Sequence, residues 1–223
     1  FAKEAPKKQP KYTTEKVEDL QERYKTKEYL GVEMSADTFT FFTELTELIR
    51  DDRVKKILRN TDTHLDVLGN LIRVNCSYYC QITSLPELPE RLEVLYCDYA
   101  EFTELPKLPG GLKELRCNNA KIIALPELPA GLETLICRST KITSLPELPT
   151  RLKILDCIDT KITSLPELPP GLTELYCNNT QISSLPELPS TLKDLGCSGT
   201  PLSNNPVVIA ELKAKYPGLR IYS

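Results

Sequence analysis

The 223-residue chain has no tryptophan, one methionine and one histidine, His64. Any Ser-His-Asp or Cys-His arrangement would therefore depend on His64, and the chain contains neither a G-x-S-x-G nucleophile signature nor a Gly-rich phosphate loop. No apolar run approaches the roughly 18 residues needed to span a bilayer, and Phe1 to Lys11 lack the apolar core of a secretion signal. A charge bias is missing too. The 28 basic and 31 acidic residues leave a net charge of -3, which gives no general electrostatic attraction for nucleic acid or an anionic membrane. Because the first residue is Phe1 and not methionine, an upstream segment and any address it carried are expected to lie outside this sequence.

Proline and cysteine are abundant instead, at 18 and 8 residues, and they recur. Leu92, Leu112, Leu132, Leu152, Leu172 and Leu192 follow a 20-residue period, as do Cys97, Cys117, Cys137, Cys157, Cys177 and Cys197. Counting the first of these leucines as place one, the unit is L-x-x-L-x-C-x-x-[AT]-x-[IFL]-x-x-L-P-x-L-P-x-x. A looser copy begins at Leu71 and carries Val74 and Cys76, so seven units cover residues 71–202.

The pattern is that of a leucine-rich repeat, with Cys at the third leucine place and Thr or Ala at the asparagine place. Each unit is expected to add one short strand to a parallel sheet on the concave side of a solenoid. In L-P-x-L-P the prolines donate no backbone hydrogen bond and push the preceding residue out of helical geometry, which makes the convex side extended or polyproline-like. A solenoid needs caps. Residues 14–70 read as an N-terminal helical cap: Val17, Leu20 and Tyr24 share one face, Ser35 N-caps a helix carrying Phe39, Phe42, Leu45, Leu48 and Ile49, and Val54, Ile57 and Leu58 line a third segment. Residues 203–223 read as a C-terminal cap, with Pro206 opening a short helix, Pro217-Gly218 stopping it, and Leu219 and Ile221 extended beyond. Residues 1–13, with four lysines and two prolines, read as a flexible tail.

The stretch SLPELPTRLKILDCIDTKITSLPELPPGLTELYCNNTQISSLPELPSTLKDL resembles the short proline-bearing leucine-rich repeats of bacterial type III secreted effectors. These include Yersinia outer protein M and the Shigella and Salmonella ubiquitin-ligase effectors. The resemblance covers residues 71–202 and departs at the Cys and Thr or Ala places. It implies a non-enzymatic module that binds a protein partner, for instance a host protein, after secretion into a host cell's reducing cytosol. It also implies an alternative, the substrate-recognition part of a ubiquitin ligase whose catalytic domain lies outside this chain. Those ligases use a catalytic Cys-x-Asp, and Cys157-Ile158-Asp159 matches that triplet; yet Cys157 occupies the repeat's own buried place, where a thiol is shielded.

Six of the eight cysteines stand where every repeat buries an aliphatic side chain, so they read as small hydrophobes and not as a disulfide framework. One thiol per 20 residues does not have zinc-ligand spacing, and only Cys76 and Cys80 are close in sequence, so neither metal nor cofactor is expected. The variable places carry the candidate site. With the fixed leucines and cysteine pointing inward, places two, three, five, seven and eight are expected on the concave surface. Val94, Tyr96, Arg116, Thr134, Ile136, Arg138, Ile154, Asp156, Ile158 and Tyr176 form the candidate partner-binding set, since aromatic, aliphatic and Arg side chains together mark protein interfaces. Glu87, Glu127, Glu147, Glu167 and Glu187, inside L-P-E-L-P, read as a solvated convex row.

Overall fold

A computed structural model describes residues 35–49, 63–65, 70–77 and 83–223. The expected tail, the helix over Thr14 to Lys25, the segment with Val54, Ile57 and Leu58, and Cys80 lie outside the described residues. Helix α1 (Ala36–Ile49) precedes nine strands that form one sheet in chain order. These are β1 (His64–Leu65), β2 (Leu71–Asn75), β3 (Val94–Tyr96), β4 (Glu114–Arg116), β5 (Thr134–Ile136), β6 (Ile154–Asp156), β7 (Glu174–Tyr176), β8 (Asp194–Gly196) and β9 (Arg220–Tyr222), with helix α2 (Pro206–Lys215) between the last two. From β2 to β9 every pairing is parallel, and from β3 to β8 each residue faces the one 20 places on. The chain is a leucine-rich repeat solenoid.

Each fixed place has a physical task. The leucines at places one and four and the cysteine at place six point inward from strand and turn: Leu112, Leu115 and Cys117 are fully buried, and so are their counterparts at Leu152, Leu155 and Cys157. At the end of each repeat the chain turns, with Leu112 N donating to Pro109 O at 3.1 Å and Leu152 N to Pro149 O at 3.0 Å. Between strand and turn the L-P-x-L-P half forms neither helix nor strand, while Leu108, Leu128 and Leu148 from it close the core. Where the place read as a substitute for asparagine carries Thr, it is a hydroxyl cap: Thr140, Thr160, Thr180 and Thr200 each donate to the carbonyl of the cysteine three residues earlier, at 2.6 to 2.8 Å. A buried carbonyl that the sheet leaves open is thereby satisfied.

Place eight has a left-handed backbone in the six repeats from Leu92 on, with φ from 54 to 60° at Tyr99, Asn119, Ser139, Asp159 and Asn179, and 70° at Gly199. Asn, Asp and Gly adopt this conformation most readily, so the turn accounts for most of the residue choice there. It also corrects the sequence reading of places seven and eight as sheet surface. The strands end at place five, and place eight turns the chain away so that its N–H can bond the next repeat, as Asn119 does to Arg138 O at 2.8 Å.

Both caps engage the sheet. In α1, Phe41, Phe42 and Leu45 are buried, the two rings 5.2 Å apart edge to face, and Thr38 N donates to Ser35 Oγ at 3.4 Å, in keeping with Ser35 as N-cap. The Oγ1 of Thr38 accepts from Leu71 N at 2.7 Å, which ties the helix to the first repeat strand. Within the stretch expected to be helical, β1 is instead extended and pairs antiparallel with β2. At the far end Asn205 caps α2 by accepting from Val207 N and Val208 N, and Ile209 is buried against the core.

Candidate functional site

Because strands are three residues long from β3 on, the concave surface is two side chains wide, built from places three and five alone. In register these rows run Arg73, Val94, Glu114, Thr134, Ile154, Glu174, Asp194, Arg220, and Asn75, Tyr96, Arg116, Ile136, Asp156, Tyr176, Gly196, Tyr222. Of the ten candidate residues, Val94, Tyr96, Arg116, Thr134, Ile136, Ile154, Asp156 and Tyr176 thus share one surface. Arg138 and Ile158, at place seven, stand on the turn beside it.

Near β2 to β4, Tyr96 lies between two cations. The guanidinium carbon of Arg116 is 4.8 Å and that of Arg73 5.5 Å from its ring centroid, within cation-π range. Arg116 also donates from Nε to Glu114 Oε1 at 2.7 Å, which helps hold the guanidinium beside the ring. Desolvation raises the Tyr96 phenol pKa, the neighbouring Glu114 adds to the rise, and the two guanidiniums oppose it.

The centre is apolar, with Thr134, Ile136 and Ile154 half-buried. Beside it, Asp156 departs from expectation. As a candidate binding residue it is expected to be open on the concave surface, but it is 1% exposed and covered by Arg138, whose Nε donates to Asp156 Oδ2 at 2.6 Å. That bond is the main cause of the rise in the Arg138 pKa. Sequence periodicity sets which row a residue occupies but not that a long side chain from the turn folds over the neighbouring strand.

Toward β9 the surface includes residues outside the candidate set. Arg220 forms a two-pronged bond to Asp194, Nε to Oδ1 at 2.7 Å and Nη2 to Oδ2 at 2.6 Å, and Tyr222 Oη donates to Asp194 Oδ1 at 3.3 Å. Arg220 accordingly pulls the Asp194 carboxyl below its ordinary range. These residues escaped the repeat count because β9 follows β8 by 26 residues and not 20, after α2. Gly196 was a legible signal: a Cβ there would collide with Oδ1 of Asn178 and stand 2.9 Å from Cδ1 of Tyr176, so the glycine makes room for both side chains.

Place seven is partly committed to the scaffold. Asp98 Oδ1 accepts from Asn118 N at 2.7 Å, and Asn118 Oδ1 accepts from Arg138 N at 3.0 Å. Beneath the sheet, the seven described cysteines are free and buried. Cys76 and Cys97 donate from Sγ to the next strand's carbonyl at 3.3 and 3.2 Å. Burial pushes the thiols of Cys76 and Cys177 up to about 12 and that of Cys157 well above its ordinary value, the opposite of what a nucleophile needs. Among the described residues, no three His, Cys, Asp or Glu side chains are grouped to hold a metal, and no helix is long and apolar enough to cross a membrane.

No protein-family model matches the chain. No curated protein matches it either. Among solved structures it is similar to YopM from Yersinia enterocolitica WA-314, with 36% identity over 53% of this chain and 26% of that one and a TM-score of 0.52. The LRR domain of a Shigella effector is 26% identical over 85% of this chain and 97% of its own length, with a TM-score of 0.59. YopM from Yersinia pestis, described as a leucine-rich effector protein, is 27% identical over 84% of this chain and 54% of its own, at a TM-score of 0.50. The chain thus spans about a quarter of the first and about half of the third. In repeat pattern and fold alike, it is a leucine-rich repeat protein resembling these bacterial effectors.

Proposed function

We propose that the chain is a non-enzymatic protein-interaction module that binds a partner protein through the concave face of its sheet. The observation that carries this reading is the half-buried band running from Tyr96 and Arg116 through Ile136 and Ile154 to Tyr176. It sets aromatic and Arg anchors beside aliphatic ones on a rigid strand scaffold, the composition of interface hot spots. Likeness to Yersinia and Shigella effectors supports secretion by a bacterium and action on a host protein. Seven buried free thiols suit a reducing cytosol. A second reading, the recognition part of a ubiquitin ligase with its catalytic domain elsewhere, draws support from the match to nearly all of a structure described as an effector LRR domain.

The test is quantitative capture from host-cell lysate followed by affinity measurement on the captured protein. Tyr96→Ala, Arg116→Ala and Ile136→Ala are expected to include at least one loss of about 2 kcal/mol or more, whereas Glu147→Ala on the exposed convex row leaves affinity unchanged. Melting curves for each variant separate lost binding from lost folding. Unchanged affinity in all three concave variants would reject the concave face.

A further inference from the structure

The concave rows are almost self-neutralised, and the exceptions are informative. Glu114 pairs with Arg116, Asp156 with Arg138, and Asp194 with Arg220. Two charges remain. Arg73 on β2 has Tyr96 beside its guanidinium but no carboxylate partner among the described residues, and Glu174 on β7 has the Tyr176 hydroxyl at 3.2 Å but no cation. Both are half-buried and belong to the same row. Five strand steps separate them, about 24 Å at a strand spacing of about 4.8 Å, and Val94, Ile136 and Ile154 lie in the interval.

We propose that this surface receives a single amphipathic helix of a partner protein, laid across the strands with an acidic residue over Arg73 and a Lys or Arg over Glu174. The inference rests on the concave face being the binding face. A span of about 24 Å corresponds to about 16 residues of helix at 1.5 Å per residue. A surface two side chains wide matches one apolar helical stripe. An extended segment crossing the same surface would lie over side chains, not along a strand edge, and would leave its own N–H and C=O groups desolvated without partners. A helix satisfies its backbone internally. The paired charges between the two ends resist any further ion, so specificity falls on the ends.

Selection from a displayed library of random 20-residue peptides tests the assignment. The native chain is expected to enrich helical sequences with an acidic and a basic residue about 16 positions apart and apolar residues between them at helical spacing. Glu174→Arg, which puts positive charge at both ends, should instead enrich sequences acidic at both ends, and Arg73→Glu sequences basic at both. Peptides selected on the native chain should bind either variant roughly tenfold more weakly, a difference that shrinks in about 0.5 M salt. If Glu174→Arg melts early, Glu174→Gln keeps a partner for the Tyr176 hydroxyl and should relax the requirement for a basic end. Binders that need Ile136, judged by loss on Ile136→Asp, but whose end charges ignore these changes would overturn the charge-spacing claim and leave the concave reading intact. Charges about seven positions apart would overturn the helix in favour of an extended segment. Peptides that bind folded Ile136→Asp as well as the native chain would overturn the concave reading itself, and enrichment of no binder would overturn the helix proposal.

Discussion

Raising the pH from 8 to 10 under a reductant is expected to remove about 10 kcal/mol of folding stability, enough to unfold a domain of ordinary stability. The cause is the thiol ladder. All seven described cysteines have pKa values raised by burial in the folded chain, with Cys76 and Cys177 pushed up to about 12. In the unfolded chain they titrate near the ordinary value of about 8.5. A group whose folded pKa is raised stabilises the fold fully below its unfolded pKa and loses that contribution as pH climbs toward the folded one. Each such thiol costs about 1.4 kcal/mol per pH unit in that window, so the six from Cys76 to Cys177, whose rises are large, approach about 8 kcal/mol per unit. The raised phenols of Tyr96 and Tyr176 act in the same direction at higher pH. Denaturant titrations across this range measure the slope. Replacing Cys117, Cys137 and Cys157 together with Val should reduce it by about 4 kcal/mol per pH unit. Stability that is flat up to pH 10 would mean that the thiols ionise in the folded state and are not buried.

Leu152→Ala is expected to cost about 2 to 5 kcal/mol, through lost burial and the cavity left behind. Leu152 is completely buried in mid-stack, and repeats on both sides offer their own leucines to the same layer. Packing of that kind has little room to collapse. By contrast, Lys153 is exposed and holds Glu133 at 2.6 Å on the surface, so Lys153→Ala should stay within about 1 kcal/mol. Chemical denaturation of the two variants gives the comparison. Equal and small losses would show that the inward and outward places are misassigned.

The repeat made most of this architecture legible. A fixed 20-residue spacing dictates that Leu92, Leu112 and Leu132 stack, that the strands pair in parallel, and that the cysteines form a file inside the core. The site was less legible for three physical reasons. Alternation assumes that a strand continues, but the left-handed residue at place eight ends it, which takes Arg138 and Ile158 off the sheet and onto the turn. Side-chain reach is not periodic, so the closure of Arg138 over Asp156 could not be read from spacing. Nor is β9 a repeat; it joins the sheet after a helix, which brings Arg220 and Tyr222 to the concave surface without any spacing signal.

Hydroxyl-radical footprinting of the chain with its captured partner tests the central claim most directly, because exposed aromatic and aliphatic side chains are oxidised and report burial one residue at a time. Tyr96 and Tyr176 lie on the concave rows, while Ile123, 48% exposed, lies beyond the strands and away from the sheet surface. Binding across the concave face predicts that oxidation of Tyr96 and Tyr176 falls on complex formation while that of Ile123 is unchanged. Protection of Ile123 with Tyr96 and Tyr176 as reactive as in the free chain would place the partner elsewhere and contradict the account.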